Sequence, residues 1–227
     1  MRNLEELFPK IFIKPKKVEL YELALTHTSY NADAKTKHHD YERLEYIGDA
    51  VLGFVCADLI FKLHPDMDPG LMSKLRSYLV KSHSLATYAR KISLAEFIKA
   101  GHSISIEKIN NSDNILEDVF EALIGAIYLD LGINKAYSYI KSFLYNDIRN
   151  INLDILTDYK TKLQEEMQSE HRDSVTYTVY DEKGPAHDKT FYVHVMFNGV
   201  ILASGVGKTK KAAEEDAAKN ALAKRCI

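Results

Sequence analysis

The chain has 227 residues, 46% of them hydrophobic and 27% charged, with a formal net charge of −2. That composition excludes a disordered or low-complexity chain, and the length admits one large domain or two modest ones, each able to bury a core. No bulk positive field exists to attract a polyanion, since residues 158–227 carry 11 basic and 11 acidic side chains and the rest carry 19 and 21; such a partner must be held by local clusters.

The N-terminus, MRNLEELFPK, places acids where a secretory leader needs bare apolar residues. Apolar residues then recur at three and four over 17–30, 42–63, 71–92, 113–132 and 134–148, punctuated by Pro65, Pro69, Gly70, Gly101 and Gly132. This spacing predicts an all-α domain over 1–148, with no strand. The longest apolar run, AVLGFVCA (50–57), is far short of the roughly 20 residues a membrane span takes. Cys56 and Cys226 are too few and too distant for a disulfide scaffold or a zinc cluster, and Cys56 reads as a small buried residue. A cytoplasmic protein with no membrane partner is expected.

A polar stretch, 149–157, reads as a linker, and beyond it the period changes. Residues 161–170 are helical in pattern, and VTYTVYDE (175–182) alternates between apolar and polar. GPAHD (184–188) is a turn, KTFYVHVMFNGV (189–200) and VILASGVG (200–207) are two further strands, and KTKKAAEEDAAKNALAKRC (208–226) is an Ala-rich helix headed by lysines. The order α-β-β-β-α over 158–227 predicts an α+β domain, three strands backed by two helices, so the chain as a whole is multidomain.

Within 42–63, Glu42, Glu45 and Asp49 share one face: at about 100° per residue they fall near roughly 0°, 300° and 340°. Gly53 and Cys56, both small, continue that line, while Leu44, Ile47, Val51, Leu52, Phe54 and Val55 occupy the remainder. A helix apolar nearly all round is expected to be buried, so these acids are not an ordinary solvated face. The segment NILEDVFEALIGAIYL repeats the design, with Asp118 and Glu121 spaced i, i+3 between Asn114 and Gly125. Two such helices laid together bring five carboxylates into one cleft. Burying them unpaired costs several kcal/mol each, which protonation, a basic partner or a divalent cation can offset. Arg43 lies on the wrong side to pair with them, and oxygen-only ligands select a hard ion, magnesium or manganese. The plainer alternative is two helices whose acids face a watery groove.

Two other readings fail on spacing. A di-iron bundle needs Glu-x-x-His, but Glu45 is followed by Gly48 and Glu121 by Ile124. GVGKT (205–209) is similar to a phosphate loop, yet Leu202 stands where its first glycine belongs, so no nucleotide cofactor is expected.

The blocks LTHTSY (25–30), ERLEYIGDAVL (42–52), LRSYLV (75–80) and ILEDVFEALIGAIYLD (115–130) resemble the ribonuclease III domain, and 158–225 resembles the double-stranded-RNA-binding domain that follows it in bacterial members. The resemblance implies a magnesium-dependent, homodimeric endonuclease in which manganese can substitute, a hydrolase cutting double-stranded RNA to 5′-phosphate and 3′-hydroxyl ends. Its implied substrates are ribosomal-RNA precursors and other structured transcripts, messenger and transfer RNA included. Position by position, Glu45, Asp118 and Glu121 match the family's metal ligands and Asp49 its catalytic aspartate, with Glu121 serving in both sets. Glu42 matches an acid that engages RNA at the cut, and Tyr46 a ring, usually Phe, that contacts the partner subunit. Two further departures stand out. Tyr41 replaces a usual Asn, and Pro69 replaces an accessory Glu for which Asp66 and Asp68 are the neighbouring carboxylates. His27 and Ser29 match a family pair read as structural, and His38 and His39 lie in a polar loop.

A-form RNA is read by shape across two minor grooves and the phosphates between them. Thr161, Gln164, Glu165 and Gln168 share one side of the helix expected over 161–170, His187 sits on the GPAH turn, and Lys208, Lys210 and Lys211 crowd the start of the last helix. Cations there oppose the helix dipole, so an anionic partner explains them better than folding does. Thr161, Gln164, Gln168, His187 and the three lysines are therefore the candidate RNA contacts. The competing reading is a non-catalytic RNA-binding protein of the same fold, which would have no reason to retain Glu45, Asp49, Asp118 and Glu121 together.

Overall fold

Residues 2–33, 39–152, 156, 158–171, 174–185 and 188–225 are described by the computed structural model of the chain. Contacts divide it into two units, Met1–Leu156 and Thr157–Ile227, each with its own hydrophobic core. Of the expected linker, residues 153–155 and 157 lie outside the described residues, while Leu156 is buried with the first core.

The first unit holds α1 (Leu7–Lys10), α2 (Val18–Ala24), α3 (Tyr30–Asp33), α4 (Glu42–Leu63), α5 (Pro69–Leu79), α6 (Ser82–Lys91), α7 (Ile106–Asn111), α8 (Asp113–Leu131) and α9 (Ile133–Arg149). Two helical runs are each divided. Residues 17–30 break after Ala24 because the Thr26 hydroxyl donates to the Glu22 carbonyl at 2.7 Å and the backbone there turns to Lys99: His27 N–H donates to the Lys99 carbonyl at 2.8 Å, and Lys99 N–H to that of Leu25 at 2.7 Å. The run 71–92 breaks at Val80–Lys81, where Lys81 takes extended backbone ahead of α6. Pro69 is a start and not a stop. It opens α5 at a position where its missing N–H costs nothing, and the Asp68 carboxylate caps the Leu71 N–H at 2.9 Å.

α8 is the centre of this unit. Every residue from Val119 to Ile127 is buried, since α2, α4, α6 and α9 pack around it. That crowding explains its apolar circumference. α4 is different: its all-round apolar pattern predicts full burial, but Tyr46, Phe54 and Phe61 are 81%, 60% and 68% exposed. They follow one another at eight- and seven-residue steps and so form an open aromatic face on the side away from α8.

In the second unit α10 (Tyr159–His171) precedes β1 (Thr176–Lys183), β2 (Thr190–Phe197), β3 (Val200–Gly207) and α11 (Lys210–Arg225). The strands form one antiparallel sheet in the order β1-β2-β3. β2 ends three residues earlier than its pattern predicts, because Asn198 and Gly199 adopt φ of 48° and 78° and make the two-residue turn that suits a twisted hairpin. Leu163 and Met167 of α10 meet Val193 and Val195 of β2 and the alanines of α11 in the second core. The phosphate-loop look of GVGKT is packing: a Cβ on Gly205 would stand 2.1 Å from the Ala217 backbone nitrogen.

Candidate active site

The acids meet because two glycines let two helices touch. A Cβ on Gly48 would lie 1.8 Å from the Glu121 carbonyl oxygen, and one on Gly125 would lie 2.2 Å from that of Leu44. Only glycine permits backbones so close. Glu45 and Asp49 flank Gly48, while Asp118 and Glu121 lie in the two turns before Gly125. The crossing point of α4 and α8 thus fixes where the four carboxylates go. Gly53, which shares the acids' line in the sequence, plays no such part, since a Cβ there would meet nothing.

Electrostatics registers the crowding. Glu121 is 8% exposed, and its carboxyl is pushed up to about 8, first by burial and then by the charges of Asp49, Glu117, Glu45 and Asp118. Glu45 is raised by partial burial, then by Asp118, Glu42, Glu117 and Asp49. Glu42 and Asp49 are exposed and Asp118 half-buried. Four acids converge on Glu121, and Arg43 turns elsewhere, lining a hollow with Leu20, Leu23 and Ile47. Among the described residues no three His, Cys, Asp or Glu side chains stand ready to hold a metal ion, so the acids are neighbours and not a closed chelate. Their chemistry nevertheless fits a hard dication: the donors are all oxygen, one is buried, and the cluster is short of positive charge.

Two members of this cluster were not foreseen. Glu117 lies one turn before Glu121 and adds to its repulsion, and its own carboxyl is raised by burial against the opposing hydrogen bond from Ser82. The i, i+4 spacing to Glu121 was the available signal. Tyr41 is 5% exposed, and its hydroxyl donates to Asp118 Oδ2 at 3.0 Å. Burial, followed by the Asp118 charge, pushes that phenol well above its ordinary range, so it stays a donor. His27 and Ser29 hold each other, with Nδ1 to Oγ at 2.8 Å, and the Gly101 N–H donates to that Oγ at 3.1 Å. His39 is exposed, and His38 lies outside the described residues.

In the second unit Thr161 and Gln168 are exposed on α10, while Gln164 is half-buried and accepts a hydrogen bond from the Val175 N–H at 3.2 Å. Gln164 therefore also ties α10 to the start of β1. Lys208, Lys210 and Lys211 are exposed around the start of α11. Lys208 reaches Asp188 at 2.7 Å and Lys210 reaches Glu182 at 3.9 Å, solvated pairs of the kind that hold weakly. The Thr209 hydroxyl already caps the Ala212 N–H at 3.1 Å, so one of the helix's free donors is taken. His187 lies outside the described residues.

Comparison with known proteins matches both units. A family model described as ribonuclease-III-like fits residues 17–148, and one described as the double-stranded RNA binding motif fits 159–225. Ribonuclease 3 of Streptococcus pyogenes serotype M3 (strain SSI-1) is 42% identical over 225 residues, 98% of either chain. The crystal structure of the nuclease domain of ribonuclease III from Campylobacter jejuni aligns with a TM-score of 0.60 at 32% identity, over 67% of this chain and 100% of its own. A second structure of that domain, described as showing flexibility in a region involved in dimer formation, aligns with a TM-score of 0.59 at 34% identity, over 66% and 100%.

Proposed function

The chain belongs to the ribonuclease III family, and from that premise we propose that Glu45, Asp118 and Glu121 hold a magnesium ion beside the scissile phosphate of double-stranded RNA. The chain is an endoribonuclease, carries a double-stranded-RNA-binding domain, and depends on a divalent metal as its family does. The finer assignments follow as this proposal. A bound dication supplies Lewis-acid activation of the phosphate and of the attacking water. Asp49 orients that water, Glu121 serves both ion and water, and Glu42 engages the RNA at the cut, leaving 5′-phosphate and 3′-hydroxyl ends. Manganese meets the same oxygen donors and substitutes for magnesium.

The observation that carries this reading is the meeting of α4 and α8 at Gly48 and Gly125, which brings Glu45 and Asp49 of α4 against Asp118 and the buried Glu121 of α8, whose carboxyl is raised first by burial and then by these neighbours. A fold with no use for a cation would not keep a buried acid in such company. On the second unit, Thr161, Gln164 and Gln168 address the 2′-hydroxyls of one minor groove and His187 the next, while Lys208, Lys210 and Lys211 exchange their surface carboxylates for phosphates. A second copy of the chain covers the open aromatic face of α4, where Tyr46, Phe54 and Phe61 are too large and too aligned for ordinary surface. Among the described residues no helix is long and apolar enough to cross a membrane. The substrates of this reading are ribosomal-RNA precursors and other structured transcripts, cut in the cytoplasm.

The test is a long perfect RNA duplex incubated with and without magnesium and read on a gel. Short 5′-phosphorylated fragments are expected only with the metal and the unaltered chain, and Glu121→Ala is expected to bind the duplex yet leave it intact. Full cleavage by Glu121→Ala would remove Glu121 from the mechanism.

A further inference from the structure

Tyr41 stands immediately before the acid stripe, and its surroundings hold it from every side. Its N–H donates to the Thr26 carbonyl at 3.1 Å, and its own carbonyl accepts from Leu44 and Glu45 at 2.8 and 2.9 Å, which starts α4. Its ring is buried against the His27 imidazole, centroids 5.7 Å apart at 48°. What emerges from this packing is the hydroxyl, which reaches across to α8 and donates to Asp118 Oδ2 at 3.0 Å.

Asp118 needs such a hold. It is half-buried beside the carboxyls of Glu45, Glu117 and Glu121, acids that repel its charge whenever they are ionised. A phenol fixed by its backbone and ring can restrain a neighbouring carboxylate at little entropic cost, because the donor is already in place. The bond engages one oxygen, Oδ2, and leaves Oδ1 for another partner.

We propose that Tyr41 is a positioning residue for the nuclease centre, its hydroxyl fixing Asp118 so that the second carboxylate oxygen is presented to the metal ion; the inference rests on the ligand role proposed for Asp118. It assigns work to a residue that departs from the family's usual Asn. It also links the two helices of the site at a second point beside the glycine contact, joining residues 77 apart in the chain.

Tyr41→Phe isolates the hydroxyl, since it keeps the ring, its volume and its contact with His27. Binding of Mn²⁺ is measured by electron paramagnetic resonance of the free ion, without RNA, for the unaltered chain, Tyr41→Phe and Asp118→Asn. Asp118→Asn is expected to lose tight binding. Tyr41→Phe is expected to bind with a dissociation constant raised about tenfold, the lower end of what loss of a partner behind a metal ligand costs. Its cleavage of duplex RNA should fall at limiting magnesium and return as magnesium is raised. A tyrosine that merely packs could lower the melting temperature on substitution but would not move the metal affinity. Unchanged Mn²⁺ affinity in Tyr41→Phe, with binding lost in Asp118→Asn, overturns the positioning role and leaves the proposed site standing. Undiminished binding in Asp118→Asn removes the site, and this inference with it.

Discussion

Replacing Glu121 by Gln should make the metal-free protein more stable as it destroys the enzyme. The carboxyl of Glu121 is raised from the ordinary 4.5 to about 8. Between those values the folded chain binds more protons at this site than the unfolded chain does, so stability contributed below pH 4.5 is lost progressively as pH rises toward 8. The slope approaches about 1.4 kcal/mol per pH unit, which amounts to roughly 3 kcal/mol between pH 4.5 and pH 7. Glutamine keeps the shape and has no proton to lose, so that component of the pH dependence disappears. Thermal melts followed by circular dichroism from pH 5 to 8.5 in EDTA should show the two Tm curves diverging with rising pH, Glu121→Gln on top. Each kcal/mol corresponds to about 2–4 °C for a domain of this size. Magnesium at pH 8 should raise the Tm of the unaltered chain, by binding the ionised cluster, and leave that of Glu121→Gln nearly unmoved. Parallel pH profiles for the two chains would refute the claim that Glu121 is buried among like charges.

Gly48→Ala drives a Cβ to 1.8 Å from the Glu121 carbonyl, a clash with backbone that no rotamer change relieves; it should cost at least about 2 kcal/mol in a denaturant melt and abolish cleavage. Replacing Lys208, Lys210 and Lys211 by Ala should weaken duplex binding and flatten its dependence on log salt, by about one unit of slope for each phosphate no longer neutralised. Titration by fluorescence anisotropy at several salt concentrations checks this, and an unchanged slope means that other side chains hold the phosphates. Phe54→Asp, on the open face of α4, should convert a dimer into a monomer by sedimentation, whereas a chain monomeric without any substitution would leave that face unexplained.

Periodicity made both architectures legible, because 3.6-residue and two-residue repeats are set by which side of an element meets a core. It overstated continuity where local backbone and side-chain geometry interrupts an apolar repeat, as the Thr26 hydroxyl bond does at the end of α2 and the extended backbone of Lys81 does between α5 and α6. It overstated burial too. The aromatics of α4 look like core in the sequence, since an exposed aromatic face has the same composition as an interior. The acid stripe was visible on a helical wheel, but not what joins its halves: Gly48 differs from Gly53 only through the helix crossing it, and one dimension holds no record of that. Tyr41 was noticeable only as an unusual residue, because a hydrogen bond across 77 positions leaves no local pattern. Glu117 is adjacent to Asp118 and so points to a different side of α8 from it, which masks the i, i+4 relation that brings its charge to bear on Glu121.

The claim on which the rest depends is that carboxylates from α4 and α8 share one ion. Crystals soaked in manganese and measured at its absorption edge test it without recourse to activity. An anomalous peak within bonding distance of Glu45, Asp118 and Glu121, roughly 2.0–2.2 Å from their oxygens for a small hard dication, is the expected result. Fully soaked crystals with no peak there, and with Glu45 and Glu121 turned to different sides of the helix crossing, would contradict it.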